Sequence, residues 1–169
     1  VVAGGGSGPW AAGGAGGYRT KDAITMYEGT YTCTVGAGGA TGAMDARGSK
    51  GVNSSIAQAS GSGWSTLTTT GGGGGGYAMN PSANTGGSAS GTAFYSGNWS
   101  STGTTGNEGG YSPVEGYGSN SSTASEPSGG GGATENGSNP GADGHTWGGS
   151  GVNGTAAGGS GCIVFRVAA

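Results

Sequence analysis

Few residues of this chain have the types and spacing that catalysis requires. His145 is the only histidine among the 169 residues, and Asp143 precedes it by two positions. A Ser-His-Asp site also needs a positioned serine and an oxyanion hole, and serines are so frequent here that proximity to one carries no information. A single histidine in a polar segment is more typical of a loop. We therefore predict no catalytic residue and no enzymatic activity.

Motifs for cofactors and metals are equally weak. G-x-G-x-x-G matches begin at Gly71 and Gly149, but the abundance of glycine makes such matches expected by chance. No G-K-[ST] sequence is present for a phosphate-binding loop. Two cysteines and one histidine are too few for a tetrahedral zinc site. We expect neither a cofactor nor a metal ion.

The charged residues exclude further classes of partner. Five lysines and arginines, a net charge of −3 and a pI near 4.8 give no basic surface for nucleic acid. No apolar run is long enough to insert into a membrane. Four glutamates lie singly in polar segments and are expected to keep the surface soluble: Glu108, Glu115, Glu126 and Glu135.

Glycine dominates the composition, with 47 of the 169 residues, about four times the usual share. Hydrophobic residues make up 31% and charged residues 8%, so side chains alone do not provide a core. A flexible linker would have no use for four tryptophans and seven tyrosines. We infer that backbone hydrogen bonds hold the chain together, between segments whose close approach requires glycine.

The glycines form blocks separated by polar segments that hold nearly all the aromatic residues. Neither a collagen repeat nor a solenoid period is present. We predict that the blocks are extended polyglycine II helices with three residues per turn, which must bond to neighbouring helices because they have no internal hydrogen bonds. The polar segments then form loops at the ends of the bundle. The blocks are residues 4–8, 13–17, 36–42, 71–76, 129–132 and 148–161.

A few segments have the pattern of β-strands. In residues 30–35, Tyr31, Cys33 and Val35 alternate with threonines. Residues 23–27 and a Glu28-Gly29 turn precede this segment, which predicts a hairpin. Residues 162–167 form an apolar run of strand length, and residues 1–3 resemble the end of another strand.

We therefore predict an all-β or irregular fold with short strands near residues 24–35 and 162–168, and with little α-helix. A single glycine-rich domain is expected over residues 1–169. The chain lacks an initiator methionine, which indicates a processed protein or a fragment of a longer one.

Three motifs occur in order along the chain: VVAGGG at residues 1–6, GTYTCTVGAGG at 29–39 and GGSGCIVFR at 158–166. They resemble a glycine-rich domain common in phage tail proteins, which typically reads VVAGGGGGG, then GTYTVTVGAGG, then GGSGIVIIRY. The tail-tip adhesins of T-even-type phages are similar in style, with layered polyglycine II helices and variable loops that contact the host receptor. The resemblance implies a location in the virion tail, outside the cell, and a role in host recognition. Its implied partners are a host surface receptor (protein or glycan), other tail proteins and further copies of the chain.

Cysteines stand at two positions where the resembling domains have valine, Cys33 and Cys162. If their strands pair across the chain termini, the two thiols would be close enough for a disulfide. Cα atoms more than about 7 Å apart would exclude that bond. The alternative is two small apolar residues packed in a thin strand layer.

The polar segments offer aromatic side chains among serine, glycine and asparagine, a mixture typical of antibody paratopes. We predict that binding resides in residues 92–105, 111–128 and 133–147, while the alternative is that these rings cap the ends of the bundle. The candidate receptor-binding residues are Phe94, Tyr95, Trp99, Tyr111, Tyr117, His145 and Trp147. The predicted function is host recognition by a phage tail fibre. The alternatives are a subunit of a self-assembling extracellular filament or matrix, and an ice-binding protein.

Overall fold

The computed structural model describes residues 1–9, 11–40, 42–43, 45–58, 65–77, 82–93, 104–119, 130–132, 136 and 158–165. These ranges contain no helix and three β-strands: β1 (Tyr31–Thr34), β2 (Ser54–Gln58) and β3 (Leu67–Thr69). Glycine disfavours helix by about 1 kcal/mol per residue relative to alanine, which accounts for this content. The prediction of an all-β or irregular fold with little α-helix is confirmed for the described ranges. No described helix could span a membrane.

The three strands form one antiparallel sheet in the order β1-β2-β3. Ile56 of β2 lies opposite Leu67 of β3, and Ser54 lies opposite Thr69. All four residues are buried, so they form the inner face of the sheet. Strand β1 pairs with β2 through Cys33 and Ile56, and apart from the half-buried Tyr31 its residues are exposed.

The predicted hairpin between residues 23–27 and 30–35 is wrong. Residues 23–27 form no strand, and β1 instead pairs with β2, more than twenty residues later in the chain. Met26 and Tyr27 are 45% and 54% exposed, so residues 23–27 lack the buried apolar face that would favour a strand. The hydroxyl of Tyr31 donates a hydrogen bond to the carbonyl of Tyr27 at 2.8 Å.

The chain termini meet through two isolated antiparallel bridges. Val2 is paired with Cys162 and with Tyr18. In the described part of the chain, the predicted strand near residues 162–168 is therefore reduced to the bridge at Cys162, and residues 166–169 lie outside the described residues. The two cysteines are not partners of each other, because Cys33 lies opposite Ile56 and Cys162 opposite Val2. Their motifs are nevertheless joined, since the N–H of Gly161 donates to the carbonyl of Gly36.

Extended segments that bond side by side make up much of the rest of the described residues, and residues 2–7 lie among several of them. These residues bond to three neighbouring segments, with N–H to carbonyl-oxygen distances of 2.8 to 3.0 Å. Val2 and Gly5 donate to Cys162 and Gly159. Ala3 and Gly6 donate to Gly17 and Gly14, and Gly4 and Ser7 donate to Val52 and Ser49. Residues three positions apart therefore donate to the same neighbouring segment.

The same spacing recurs in other segments. The following N–H pairs donate to carbonyl pairs that are also three apart: Gly72 and Gly75 to Gly4 and Ser7, Gly14 and Gly17 to Gly73 and Thr70, Gly48 and Gly51 to Gly75 and Gly72, Ser88 and Gly91 to Ala15 and Ala12, and Gly158 and Gly161 to Gly39 and Gly36. We call this set of segments the bundle. Residues 84–93 and 115–119 belong to it, although serine, alanine and other residues interrupt their glycines.

Segments approach so closely in the bundle that many positions exclude a side chain. A Cβ on Gly6 would lie 2.0 Å from the carbonyl oxygen of Gly73, far inside van der Waals contact. Buried hydroxyls are satisfied locally: the Ser7 hydroxyl donates to the Ala40 carbonyl at 2.6 Å and accepts the Ser49 N–H at 2.9 Å. Packed and hydrogen-bonded backbone thus takes the place that apolar side chains hold in an ordinary core.

The direction of the segments defines two ends of the bundle. Residues 13–17 run antiparallel to residues 70–76, because Gly14 donates to Gly73 and Gly17 to Thr70. We call the end where residues 13–17 finish the Thr70 end. The other, the Gly76 end, also holds Gly91, whose carbonyl accepts the N–H of Gly76 at 3.4 Å.

Candidate recognition groove

Two of the seven predicted receptor-binding residues fall within the described residues, Tyr111 and Tyr117. Five lie outside them: Phe94, Tyr95, Trp99, His145 and Trp147. The binding prediction for those five stays a prediction.

Tyr117 lies in the bundle and not in a loop. Its N–H donates to the Gly132 carbonyl, and its own carbonyl accepts the N–H of Ala89, both at 3.0 Å. The side chain is half-buried. Within the predicted loop over residues 111–128, residues 115–119 therefore belong to the bundle, and residues 120–128 lie outside the described residues.

Tyr111 lies at the Thr70 end, where the guanidinium of Arg19 stands over its ring at 3.7 Å from the centroid. The side chain of Asn107 accepts the N–H of Tyr111 and donates to its carbonyl, both at 3.0 Å. Asn107 itself has a φ of 59°, a left-handed conformation that asparagine adopts more readily than most residues. This local turn fixes the Tyr111 backbone beneath the cation.

Arg19 is held from a second side by the sheet. Its Nη1 donates to the carbonyl of Thr68 in β3 at 2.8 Å, and the backbone N–H donates to the carbonyl of Val1. A guanidinium has five N–H donors in a planar fork. Among the described residues, Thr68 accepts from one of these donors.

Arg19 forms one wall of a groove of about 320 Å³. Three pieces of chain meet there: the residues after the segment 13–17, the residues that lead into β3, and those just before the segment 115–119. We call it the Arg19 groove. Its lining residues are Arg19, Thr20, Lys21, Ser65, Thr66, Leu67, Ser112 and Pro113. Among the lining residues that the structure describes are two cations and four hydroxyls, with neither a histidine nor a carboxylate. Such a set suits the binding of a polar ligand.

Glu115 follows the lining residue Pro113 by two positions and is fully buried. Its Oε2 accepts the N–H of Thr70 at 2.8 Å, and its Oε1 accepts the N–H of Gly109 at 3.1 Å. Its backbone carbonyl also accepts the N–H of Tyr18 at 2.6 Å. The expectation that Glu115 is a solubilising surface residue is therefore wrong, because backbone donors satisfy its carboxylate inside the protein.

Glu108 does lie at the surface, as expected. Its carboxylate pairs with Lys50 at 2.7 Å, and both side chains are about two-fifths exposed, at 39% and 43%. Glu126 and Glu135 lie outside the described residues.

Cys33 and Cys162 are free thiols, and both are exposed. The disulfide considered as one possibility is not formed, and both cysteines are exposed, where the alternative required packing in a thin strand layer. No group of three or more metal-ligating residues is present in the part of the chain that the structure describes.

We expect both thiols to react with a thiol reagent in the native protein, because exposed cysteines remain accessible. Ellman's reagent without denaturant should titrate two equivalents within minutes, and the Cys33→Ser and Cys162→Ser variants should each titrate one. A native protein that reacts only after reduction would contradict the free-thiol state.

Sequence reasoning missed Arg19, Lys21 and Asn107 as contributors to a site. One signal was present, because two of the five basic residues lie within three positions, directly after a glycine block. The chain matches no protein-family model, no curated protein and no solved structure.

Proposed function

We propose that the extended segments of the bundle are polyglycine II-type helices. The three-residue spacing of their hydrogen bonds supports this, because a helix with three residues per turn directs every third N–H to the same neighbour. The close approach at Gly4 also supports it: a Cβ there would lie 2.0 Å from the Ala37 carbonyl oxygen. Helices of this type need glycine where they touch and tolerate serine or alanine elsewhere.

The protein's proposed role is structural and adhesive, in the tail fibre or tail tip of a phage, outside the host cell. The observation that carries the adhesive part is the Arg19 groove, whose cation is held over the Tyr111 ring at the Thr70 end of the bundle. The assignment to a phage tail rests on the three ordered motifs at residues 1–6, 29–39 and 158–166. The proposed partners are a host receptor and neighbouring tail proteins.

The bundle and the side chains at its ends have different proposed roles because glycine has no side chain. Packed glycine segments have no side chains with which to discriminate one partner from another. Specificity must come from side chains that project at the ends of the bundle, as with binding loops on other rigid scaffolds. Stacked and hydrogen-bonded residues such as Arg19 and Tyr111 lose little conformational entropy when a ligand binds, which favours affinity.

A second candidate function is a subunit of a self-assembling filament or matrix. The exposed apolar residues favour it: Val164 is 78% exposed and Phe165 is 57% exposed, and a further copy of the chain would cover them. The same contact would serve homo-oligomer formation within a tail fibre.

Imaging of native particles separates the two candidates. An antibody against the purified chain, coupled to gold, should label the distal ends of tail fibres on virions from the source culture. Label along free filaments would favour the second candidate. Virions with tails that carry no label at all would contradict the phage assignment.

The aromatic residues outside the described ranges provide a separate prediction. Trp99→Ala or Trp147→Ala should weaken attachment to host cells by about 2 kcal/mol or more, roughly 30-fold, as is typical of a hot spot. The matched control is Tyr27→Ala, since Tyr27 is 54% exposed but lies outside the predicted binding segments. Adsorption of folded variants is the measurement, and equal adsorption by all three variants would place recognition elsewhere.

A further inference from the structure

The Arg19 groove differs in charge from the chain that carries it. The protein has a net charge of −3 with only five lysines and arginines, and two of those five, Arg19 and Lys21, line this groove. Local positive charge on an acidic protein attracts anions to one place. The carboxylate of Glu115 is buried and accepts two backbone N–H groups, and it is not among the described residues that line the groove.

The guanidinium is positioned before any ligand arrives. It lies over the Tyr111 ring and donates to Thr68, so its orientation is set by two contacts. A planar fork in a fixed orientation matches the two oxygens of a carboxylate or a phosphate. Lys21, two positions later, is an exposed residue that lines the same groove.

The remainder of the lining suits a polyhydroxylated ligand. Hydroxyl side chains come from all three pieces of chain that form the groove: Thr20, Ser65, Thr66 and Ser112. Hydroxyls donate and accept hydrogen bonds, as the hydroxyls of a sugar ring require. Leu67 and Pro113 supply apolar surface for the carbon face of a ring. A volume of about 320 Å³ is at the lower end of small-molecule sites, which favours a single sugar unit over a long polymer segment.

We propose that the Arg19 groove binds an acidic saccharide, a sugar ring that bears a carboxylate or a phosphate. Arg19 and Lys21 take the negative group, and the hydroxyl side chains take the ring hydroxyls. This inference rests on the proposed adhesive function and gives it a ligand class. Charged sugars of this kind occur on bacterial surfaces, so the groove would provide a second contact beside the predicted aromatic segments.

The test is to titrate the full chain with glucuronic acid, glucose 6-phosphate and glucose at low salt. Binding is measured by NMR or calorimetry. We expect saturable binding of a charged sugar with a dissociation constant of millimolar order, at least about tenfold tighter than that of glucose. The charged sugar that binds more tightly identifies the anionic group. Affinity should fall as salt rises. Equal binding of glucose, or tighter binding of a short glutamate peptide, would overturn the proposal.

Variants assign the binding to the groove. Lys21→Gln should weaken binding of the charged sugar several-fold and Arg19→Gln at least about tenfold, with Arg19→Lys intermediate because it keeps the charge but loses the fork. The matched control is Lys50→Gln, an exposed cation outside the groove, which should bind as the parent does. Equal losses in Lys21→Gln and Lys50→Gln would overturn the site even if Arg19 variants fail to fold.

Failure of the acidic-saccharide proposal is distinguishable from failure of the proposed function. Gold label on tail fibres together with no saturable binding of any charged sugar overturns the ligand class alone. Specific binding of a charged sugar by a chain that labels free filaments overturns the phage location and keeps the groove.

Discussion

The Gly6→Ala variant is expected either to fail to fold or to lose about 3 kcal/mol or more of its free energy of unfolding. The added Cβ would lie 2.0 Å from the Gly73 carbonyl oxygen and 2.6 Å from its carbonyl carbon. Both atoms belong to the backbone of a neighbouring segment, so relief requires two bonded segments to separate. Overpacking of ordinary cores costs about 1–3 kcal/mol, and rigid backbone neighbours place this case at or above that range.

Gly42→Ala is the matched control for the same chemical change. A Cβ there would lie 3.2 Å from the Arg47 carbonyl oxygen and 3.9 Å from its carbon, a contact that a small shift relieves. Alanine also restricts the unfolded chain, which stabilises by up to about 1 kcal/mol. The control should therefore stay within about 1 kcal/mol of the parent in chemical denaturation. Similar stabilities for the two variants would show that close backbone approach does not hold the fold.

Loss of the Glu115 carboxylate is the second large expected effect. Glu115→Ala leaves the N–H groups of Thr70 and Gly109 without their buried acceptor. A hydrogen bond to a charged group contributes about 1.5–3 kcal/mol, so loss of the two should lower the free energy of unfolding by about 3 kcal/mol. Glu115→Gln retains one carbonyl oxygen and should lie between the parent and Glu115→Ala.

Glu108→Ala serves as the control because it removes an exposed carboxylate from the same region. Its ion pair with Lys50 is partly exposed at both partners, and such pairs contribute about 0–1 kcal/mol. Urea unfolding of the three variants provides the comparison. A Glu115→Ala variant as stable as Glu108→Ala would contradict the buried role of Glu115.

The glycine content and the spacing of the blocks were enough to predict the fold class. They specify that α-helix is unfavourable and that backbone must pack against backbone, and both follow from the missing Cβ. They do not specify which residues join the bundle. Ala15, Ser88 and Ala89 are buried in it, because a small side chain is tolerated wherever the facing position leaves room.

Strand pairing was predicted less well because it depends on long-range partners. β1 was visible in the alternation around Tyr31, but β2 has a single large apolar residue, Ile56. β3 has only Leu67. Strands this short and polar give almost no periodic signal, and their pairing is decided when Ile56 and Leu67 are buried against each other.

The groove was missed because its parts lie far apart in the sequence. Arg19 and Tyr111 are more than ninety residues apart and meet only because residues 13–17 and 115–119 lie together at the Thr70 end. The aromatic residues of the polar segments indicated Tyr111, but the residue that contacts its ring is Arg19, a cation next to a glycine block. Tyr117 has the same residue type and a similar neighbourhood, and its role is to bridge bundle segments.

Native-state hydrogen exchange tests most directly whether backbone hydrogen bonds between glycine segments hold this protein together. The amides of Gly6, Gly14 and Gly72 each donate to a neighbouring segment at 2.8 to 2.9 Å. We predict that they exchange only through global unfolding, as slowly as the paired amides of β2. Exchange of these glycine amides at the rate of an unstructured chain, with β2 still protected, would contradict the central role of the bundle.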